Sequence, residues 1–358
     1  MKSTLIYYDP HHFAGWPANA GMWNWGNEVL VAFHVGSYLP KKKGHHIDER
    51  KKIRTVLARS MNGGKNWKIE LDNPIDEISR KQPIALPEAG IHFSHPDFAL
   101  KVGTAAVSIH NSTYIVTYDR GHSWQGPYLL PGAGKNMTAR TDYVIKGRSS
   151  CILVLSKQTS GIPCKALPDR SYAVRTDDGG HTWKKLGFVA DKSARSALTN
   201  TVRMSDGSFI CSISRRYDVA DASELRPAKG RFPLHSNHWI EIRRSTDGGY
   251  HWHTLSVLDM PYSIYSQSSV PSCLGRFPDG RLVIHYAFRG ENPRMVARLS
   301  KDGGKSWGEE IVLDDDISDD DIGYPKLAML PFGTALVVYH SASIERPQQH
   351  IKCIAWRP

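Results

Sequence analysis

The sequence predicts an all-β chain folded as a single six-bladed propeller of four-stranded antiparallel blades, closed by its N-terminal strand. Three observations carry that prediction: a turn pattern repeated five times, short β-branched and aromatic runs around every copy, and a first run that supplies the strand the last blade lacks.

The repeated turn reads SMNGGKNW ending at Trp67, TYDRGHSW at Trp124, TDDGGHTW at Trp183, STDGGYHW at Trp252 and SKDGGKSW at Trp307. The steps between tryptophans are 57, 59, 69 and 55 residues. In the shared pattern [ST]xDxGxxW, the hydroxyl and carboxylate bond nearby backbone N–H groups, and the glycine supplies the positive φ of a tight turn. The tryptophan then covers the apolar edge of the hairpin. Asn62 replaces the aspartate in the first copy and can make the same local bonds without the charge.

The flanking runs are strands. VLVAF, TVLAR, STYIVTY, CILVLS, FICSIS, HWIEIRR, RLVIHYAF, MVARLS and ALVVYH are short and punctuated by Gly, Asp, Asn and Pro, and no helical period competes with them. Each repeat therefore divides into four strands with the Asp-containing turn between strands three and four. The blades fall near 17–73, 95–131, 137–191, 196–259 and 266–314. Residues 320–358 supply three strands, and residues 3–8 complete that sixth blade, which removes an open sheet edge.

Composition bounds the function. The 358 residues carry 46 Lys and Arg against 35 Asp and Glu, a formal charge of +11 that favours an anionic partner. No apolar run approaches a membrane span, so no membrane partner is expected. No helix-turn-helix, RNP or zinc-finger pattern points to nucleic acid. The opening MKSTLIYYDPHH lacks an apolar signal core, which places the chain in the cytoplasm, or outside the cell if a signal has been removed. Five cysteines without CxxC spacing indicate neither a disulfide framework nor zinc, and no cofactor is expected.

Strand direction locates the chemistry. With the Asp-containing turns on one face, the two-to-three and four-to-one connections lie on the other, and polar residues there converge on the mouth of the central channel. The loop of residues 41–54, carrying His45, His46 and Asp48, belongs to this set, as do His95 and Asp97, Arg140 and Asp142, Arg215 and Arg216, Arg289 and Arg294, and Tyr324 and His340. The loop holds seven Lys or Arg and two acids. The acidic run DDDISDDD, residues 314–321, is expected to lie beside it and restrain it, with calcium binding by these aspartates a lesser reading. Residues 217–238 form an enlarged loop on the same face, a candidate lid.

Repeated [ST]xDxGxxW turns in a six-bladed propeller resemble the Asp-box signature of the sialidase (neuraminidase) superfamily, and the resemblance covers nearly the whole chain. GWPANAGMWNWGNEVLVAF, HPDFAL, ARTDY and DIGYPKLAML also resemble bacterial BNR-repeat proteins of that group. The resemblance implies an exo-acting glycosidase: arginines on a substrate carboxylate, an aspartate as acid/base and a tyrosine nucleophile paired with glutamate. On this chain Asp48 resembles the acid/base, Arg215 and Arg294 two of the arginines, and Tyr324 in GYPKL the nucleophile. The sequence departs from that pattern twice. It has no [FY]RIP segment, and Thr199 and Asn200 stand where the partner glutamate is expected. A tyrosine without a nearby base is a poor nucleophile.

The expected catalytic residues are therefore Asp48, His46, Tyr324 and His95, and the expected substrate-binding residues are Arg140, Arg215, Arg294, Arg289, His45 and Asp142. The partner is an acidic oligosaccharide or glycoconjugate. Two alternatives stay open: a uronate-active lyase or atypical glycosidase in which His or Tyr moves the proton, and a glycan-binding propeller without catalysis.

Overall fold

The computed structural model describes residues 1–41, 44–103, 113–130, 140–158, 169–218, 236–259, 271–289 and 292–358. Cys164 and most of the candidate lid, residues 219–235, fall outside them. The chain forms a six-bladed propeller. Blade 1 holds β2 (His12–Gly15), β3 (Gly21–Trp25), β4 (Glu28–Ser37), β5 (Arg54–Ser60) and β6 (Lys68–Glu70). Here β2 and β3 share the role of innermost strand, pairing with the two ends of β4. Between them helix α1 (Pro17–Ala20) bulges toward the channel.

Blade 2 follows helix α2 (Ile75–Arg80) and shows three strands among the described residues, β7 (Ala99–Val102), β8 (Thr113–Thr117) and β9 (Gln125–Leu129). Blade 3 is β10 (Tyr143–Ile145), β11 (Cys151–Gln158), β12 (Asp169–Thr176) and β13 (Lys184–Phe188). Blade 4 is β14 (Arg195–Arg203), β15 (Phe209–Asp218), β16 (Ser236–Ser245) and β17 (His253–Asp259). Blade 5 is β18 (Ser272–Arg276), β19 (Leu282–Phe288), β20 (Arg294–Ser300) and β21 (Ile311–Asp314). Blade 6 is β22 (Gly323–Leu330), β23 (Thr334–Ser341) and β24 (His350–Trp356), with β1 (Thr4–Tyr7) antiparallel to β24.

The repeated turns have one hydrogen-bond plan. The hydroxyls of Ser60, Thr117, Thr176, Ser245 and Ser300 accept the amides of Gly64, Gly121, Gly180, Gly249 and Gly304 at 2.8–2.9 Å. Each hydroxyl also donates to the side chain two residues on. These glycines have φ between +85° and +102°, a conformation that disfavours a side chain. Asn62 accepts the Asn66 amide at 2.9 Å, as Asp119 accepts that of Ser123, so the first copy keeps the plan and loses only the charge.

Each repeat tryptophan seals the seam with the blade before it. Trp67 packs on the core between blades 6 and 1, Trp124 between 1 and 2, Trp183 between 2 and 3, Trp252 between 3 and 4, and Trp307 between 4 and 5. The seam between blades 5 and 6 has Trp356 instead, whose indole donates to His285 at 2.9 Å. The apolar core is thus a ring of six interfaces, one for each pair of neighbouring blades, and burying these large rings supplies much of its driving force.

Candidate active site

At the mouth, opposite the Asp-containing turns, blades 6 and 1 bring five side chains together. Ile47, fully buried, anchors the 38–53 loop and places His45 over the channel. His45 Nδ1 stands 2.6 Å from Asp321 Oδ1, so this nitrogen carries the proton, and Nε2 faces the Tyr324 hydroxyl at 3.4 Å. The indole N–H of Trp16 lies 3.3 Å from the same Nδ1. The carboxylate is nearer and charged, and it decides where the proton sits. His340 takes the Trp16 amide on Nδ1 at 3.4 Å, leaving its Nε2 proton to face Asp321 Oδ1 at 3.3 Å. Burial pushes the Asp321 carboxyl up, but His45 and His340 outweigh it and hold the group well below the usual carboxylate range.

Backbone strain gathers at the same place. Trp16, Leu198 and Tyr324 have φ of 61°, 57° and 50°, and all three belong to one buried cluster with Phe13 and Ile47. Non-glycine residues persist in this region only where the surrounding structure imposes it, and such residues cluster at functional sites.

The expected site residues divide into groups. His45 and Tyr324 meet directly, and Arg289 joins them: its guanidinium lies 5.6 Å from the Tyr324 ring centre and its Nε donates to Ile322 O at 2.7 Å. His46 sits beside them, its Nε2 3.1 Å from Asp319, which raises the imidazole's pKa. The acidic run therefore does border the basic loop, through His45 and His46. Asp48 lies on that loop with its carboxylate held by Arg50 in two bonds of 2.8 and 3.0 Å, which bring it down to about 2.

Other residues are placed elsewhere. Arg215 is fully buried between blades 3 and 4, bound to Asp191 at 2.8 Å and beside Glu241 at 3.2 Å. Arg294, on the third strand of blade 5, pairs with Glu310 at 2.8 Å and covers Phe288. His95 corrects the expectation that it reaches the mouth. Because β7 pairs directly with β8, the strand that runs into a repeat turn, β7 starts at the turn face. His95 and Asp97 precede it, against Tyr118 and Arg120 of that turn.

A sequence profile of the BNR repeat-like domain matches residues 98–336, two thirds of the chain. The chain belongs to the BNR repeat-like family. No curated protein matches it in sequence. Among solved structures, this BNR-repeat propeller is similar to a Dyadobacter fermentans protein of unknown function (19% identity, TM-score 0.65, covering 99% of this chain and 97% of that one). It is also similar to the α-L-arabinofuranosidase of Fusarium graminearum (14%, 0.59, 100% and 98%) and to the NanB sialidase of Streptococcus pneumoniae (14%, 0.53, 99% and 70%). These likenesses show a shared fold, the six-bladed sialidase-like propeller.

The channel of this BNR-repeat propeller brings the expected Arg140 together with Lys326, which the motifs did not single out. Lys326 on blade 6 donates across the axis to Thr141 O of blade 3 at 2.8 Å. With Arg140, Thr199, Asn200 and Ser272 it lines a depression of ≈ 230 Å³, including the solvent at its mouth. Asp142 accepts the Thr201 amide and hydroxyl, both at 2.9 Å, and burial raises its pKa. Alternation along β4 and β7 turns His34 and Lys101 into the seam between blades 1 and 2, where burial takes them to about 3 and about 8. The sequence signal for Lys326 and Lys101 was a lysine inside an otherwise apolar strand.

His45, Asp321 and His340 offer three metal-ligand atoms within 4.8 Å of one another, the one such group among the described residues. Their hydrogen bonds suit protons better than a cation. The Trp16 amide on His340 Nδ1 keeps the proton on Nε2, the nitrogen that faces Asp321. Asp314 of the acidic run is committed to Lys352 at 2.6 Å and to the Tyr339 hydroxyl.

Proposed function

We propose that the protein is a glycoside hydrolase that removes a terminal acidic sugar from a glycan, with Tyr324 as nucleophile. The observation that carries this reading is the line of Tyr324 hydroxyl, His45 and Asp321. His45 Nε2 receives the phenol proton as the oxygen attacks, and Asp321 at Nδ1 orients the ring and stabilises its charged form. A neutral phenol suits attack beside a carboxylate, which would repel an anionic nucleophile. The histidine takes the place that the sialidase resemblance assigns to glutamate.

The positive charge has a matching location. Arg289 lies against Tyr324, and Arg140 and Lys326 line the axial depression, so a sugar carboxylate entering the mouth meets cations from blades 3, 5 and 6. Arg215 and Arg294 are paired with Asp191 and Glu310 and are assigned no contact with the substrate. The glycosidase structures with the same fold support a glycan as substrate.

The histidine also favours a second reading, β-elimination at a uronate, in which His45 and Tyr324 remove and deliver protons beside the neutralised carboxylate. A panel of sialosides, uronides and arabinofuranosides, read for both reducing ends and unsaturated-uronate absorbance, separates the two. Release of an intact acidic sugar supports hydrolysis, unsaturated product supports elimination, and release of neutral sugars alone overturns the acidic-substrate reading.

A further inference from the structure

The far end of the channel, on the face of the repeat turns, gathers positive charge from successive blades. Ile145, Arg203 and Arg276 end the innermost strands of blades 3, 4 and 5 in equivalent places. Each pairs with the first residue of the next strand, Cys151, Phe209 or Leu282, which pairs in turn with the hydroxyl residue of a repeat turn, Thr176, Ser245 or Ser300. Lys146 follows Ile145, so Lys146, Arg203 and Arg276 form an arc around the far opening. Arg203 is exposed, and Lys146 and Arg276 are half-buried. The carboxylates of the same turns are committed elsewhere. Asp177 holds Arg175 at 2.6 Å, Asp206 holds Arg244 at 2.5 Å and Asp279 holds Arg281 at 2.7 Å. Asp178, Asp247 and Asp302 accept amides of their own repeat turns at 2.9–3.0 Å. The Arg276 Nε is buried without an acceptor among the described residues. Burial and the neighbouring Arg175 and Arg203 guanidiniums push the Lys146 ammonium down, against Asp177.

Blade 6 adds an aromatic ring to this arc. Phe332, in the turn between β22 and β23, has φ of 59° and is 87% exposed, so strained backbone holds its ring out in water. Its turn lies against blade 5: a Cβ on Gly333 would stand 3.9 Å from both Phe277 and Pro278, and the Arg281 guanidinium lies 5.4 Å from the Phe277 ring centre. Arg357 donates to Thr334 Oγ1 at 2.6 Å on the same side.

We propose that this far face is a second, non-catalytic binding surface for an acidic polysaccharide, with the polymer's anionic groups on Lys146, Arg203 and Arg276 and a sugar ring stacked on Phe332. The choice of a glycan rests on the substrate reading above. The cations supply charge complementarity, and the electron-rich face of the Phe332 ring suits the C–H face of a sugar. A single-stranded nucleic acid stacks successive bases on successive aromatic rings. Phe332 is the one Phe, Tyr or Trp among the described residues that is more than half exposed. A polymer held at this face keeps its chain ends close to the protein, which raises their effective concentration at the mouth.

Fluorescence anisotropy on the full chain tests this, with end-labelled polygalacturonate and polysialic acid beside neutral arabinan and a labelled single-stranded oligonucleotide. The parent protein is expected to bind an acidic polymer in preference to arabinan. Lys146→Gln, Arg203→Gln and Arg276→Gln combined should weaken that binding by about tenfold or more, and by less at high salt. Phe332→Ala removes a ring that stands in solvent, so it keeps the test open if the triple variant folds poorly, and it should weaken binding by about three- to tenfold. Turnover of small aryl glycosides should be unchanged in both. Equal binding by the parent and by these variants overturns the proposal, as does failure of the parent to bind either acidic polymer. A loss in Arg140→Gln as large as that of the triple variant puts the polymer at the mouth and also overturns it. Tighter binding of the oligonucleotide than of both polysaccharides overturns the choice of a glycan. Polymer binding that depends on Lys146, Arg203 and Arg276 without release of any sugar contradicts the hydrolase reading and leaves this surface standing, so the two failures are distinguishable.

Discussion

The Tyr324 hydroxyl on blade 6 stands 3.4 Å from His45 Nε2 on the blade 1 loop, 279 residues away in the chain. Blades 6 and 1 meet where the ring closes, with β1 paired to β24 and a shared apolar core joining the two blades. The closure that removes an open sheet edge is thus also the contact that assembles the candidate site.

Replacement of Tyr324 and of His45 should separate chemistry from folding. His45→Gln is expected to lower kcat by about 10²–10⁴-fold, and Tyr324→Phe to lower it further, with melting temperatures near that of the parent protein. Steady-state kinetics beside thermal unfolding check this. An active Tyr324→Phe enzyme contradicts the proposed nucleophile.

Closure should be necessary for both stability and activity. Ile6 on β1 is buried in the seam between blades 6 and 1. Ile6→Asp places an unpaired carboxylate there and is expected to cost about 3 kcal/mol or more, with activity falling in parallel. Urea unfolding measures the cost, and an unchanged midpoint would contradict the closing role of β1.

Arg215 should act on stability more than on substrate binding. Its guanidinium is fully buried against Asp191 and Glu241. Arg215→Met takes one of two cations from the largely buried Glu241, which keeps Arg243 and the Trp239 indole, and about 1.5 kcal/mol of destabilisation is expected. A large rise in KM with an unchanged unfolding midpoint would instead make Arg215 a ligand of the substrate.

Acid should destabilise the fold through buried histidines. Burial lowers His285 from 6.5 to about 3, and its Nε2 accepts the Trp356 indole proton. In unfolded chains the imidazole takes up a proton from solvent below about pH 6.5 while in the folded protein it does not until about pH 3, so this contribution is full above 6.5 and is lost as pH falls through the window. His285→Gln keeps an acceptor for Trp356 and should flatten the slope by up to about 1.4 kcal/mol per pH unit. Denaturant titrations from pH 7 to pH 4 show the change, and parallel curves for the two proteins would refute it.

Much of this was readable from local pattern. The five turns are determined within eight residues each, because a hydroxyl, a carboxylate or amide and a glycine satisfy one another without help from the rest of the chain. Strand direction alone puts Tyr324, at the start of β22, and His45 and His46, in the connection between β4 and β5, on the mouth face. Asp321 was visible only as one member of an acidic run, and nothing local distinguishes it from Asp319 or Asp320. His95 was misread because its face depends on which strand β7 pairs with, a choice made between segments.

The sequence by itself determined the repeat, the number of blades and the strand that closes them, because these follow from short-range hydrogen bonding and the alternation of apolar residues. Tertiary structure alone decided which of many mouth charges meet. Arg215 found a carboxylate in a blade seam and Arg294 one within its own blade, while His45, Asp321 with Tyr324, His340 and Trp16 converged from four separate segments. A buried charge takes the partner that the packing of distant segments brings within a few ångströms, and that distance is written in no single stretch of the chain.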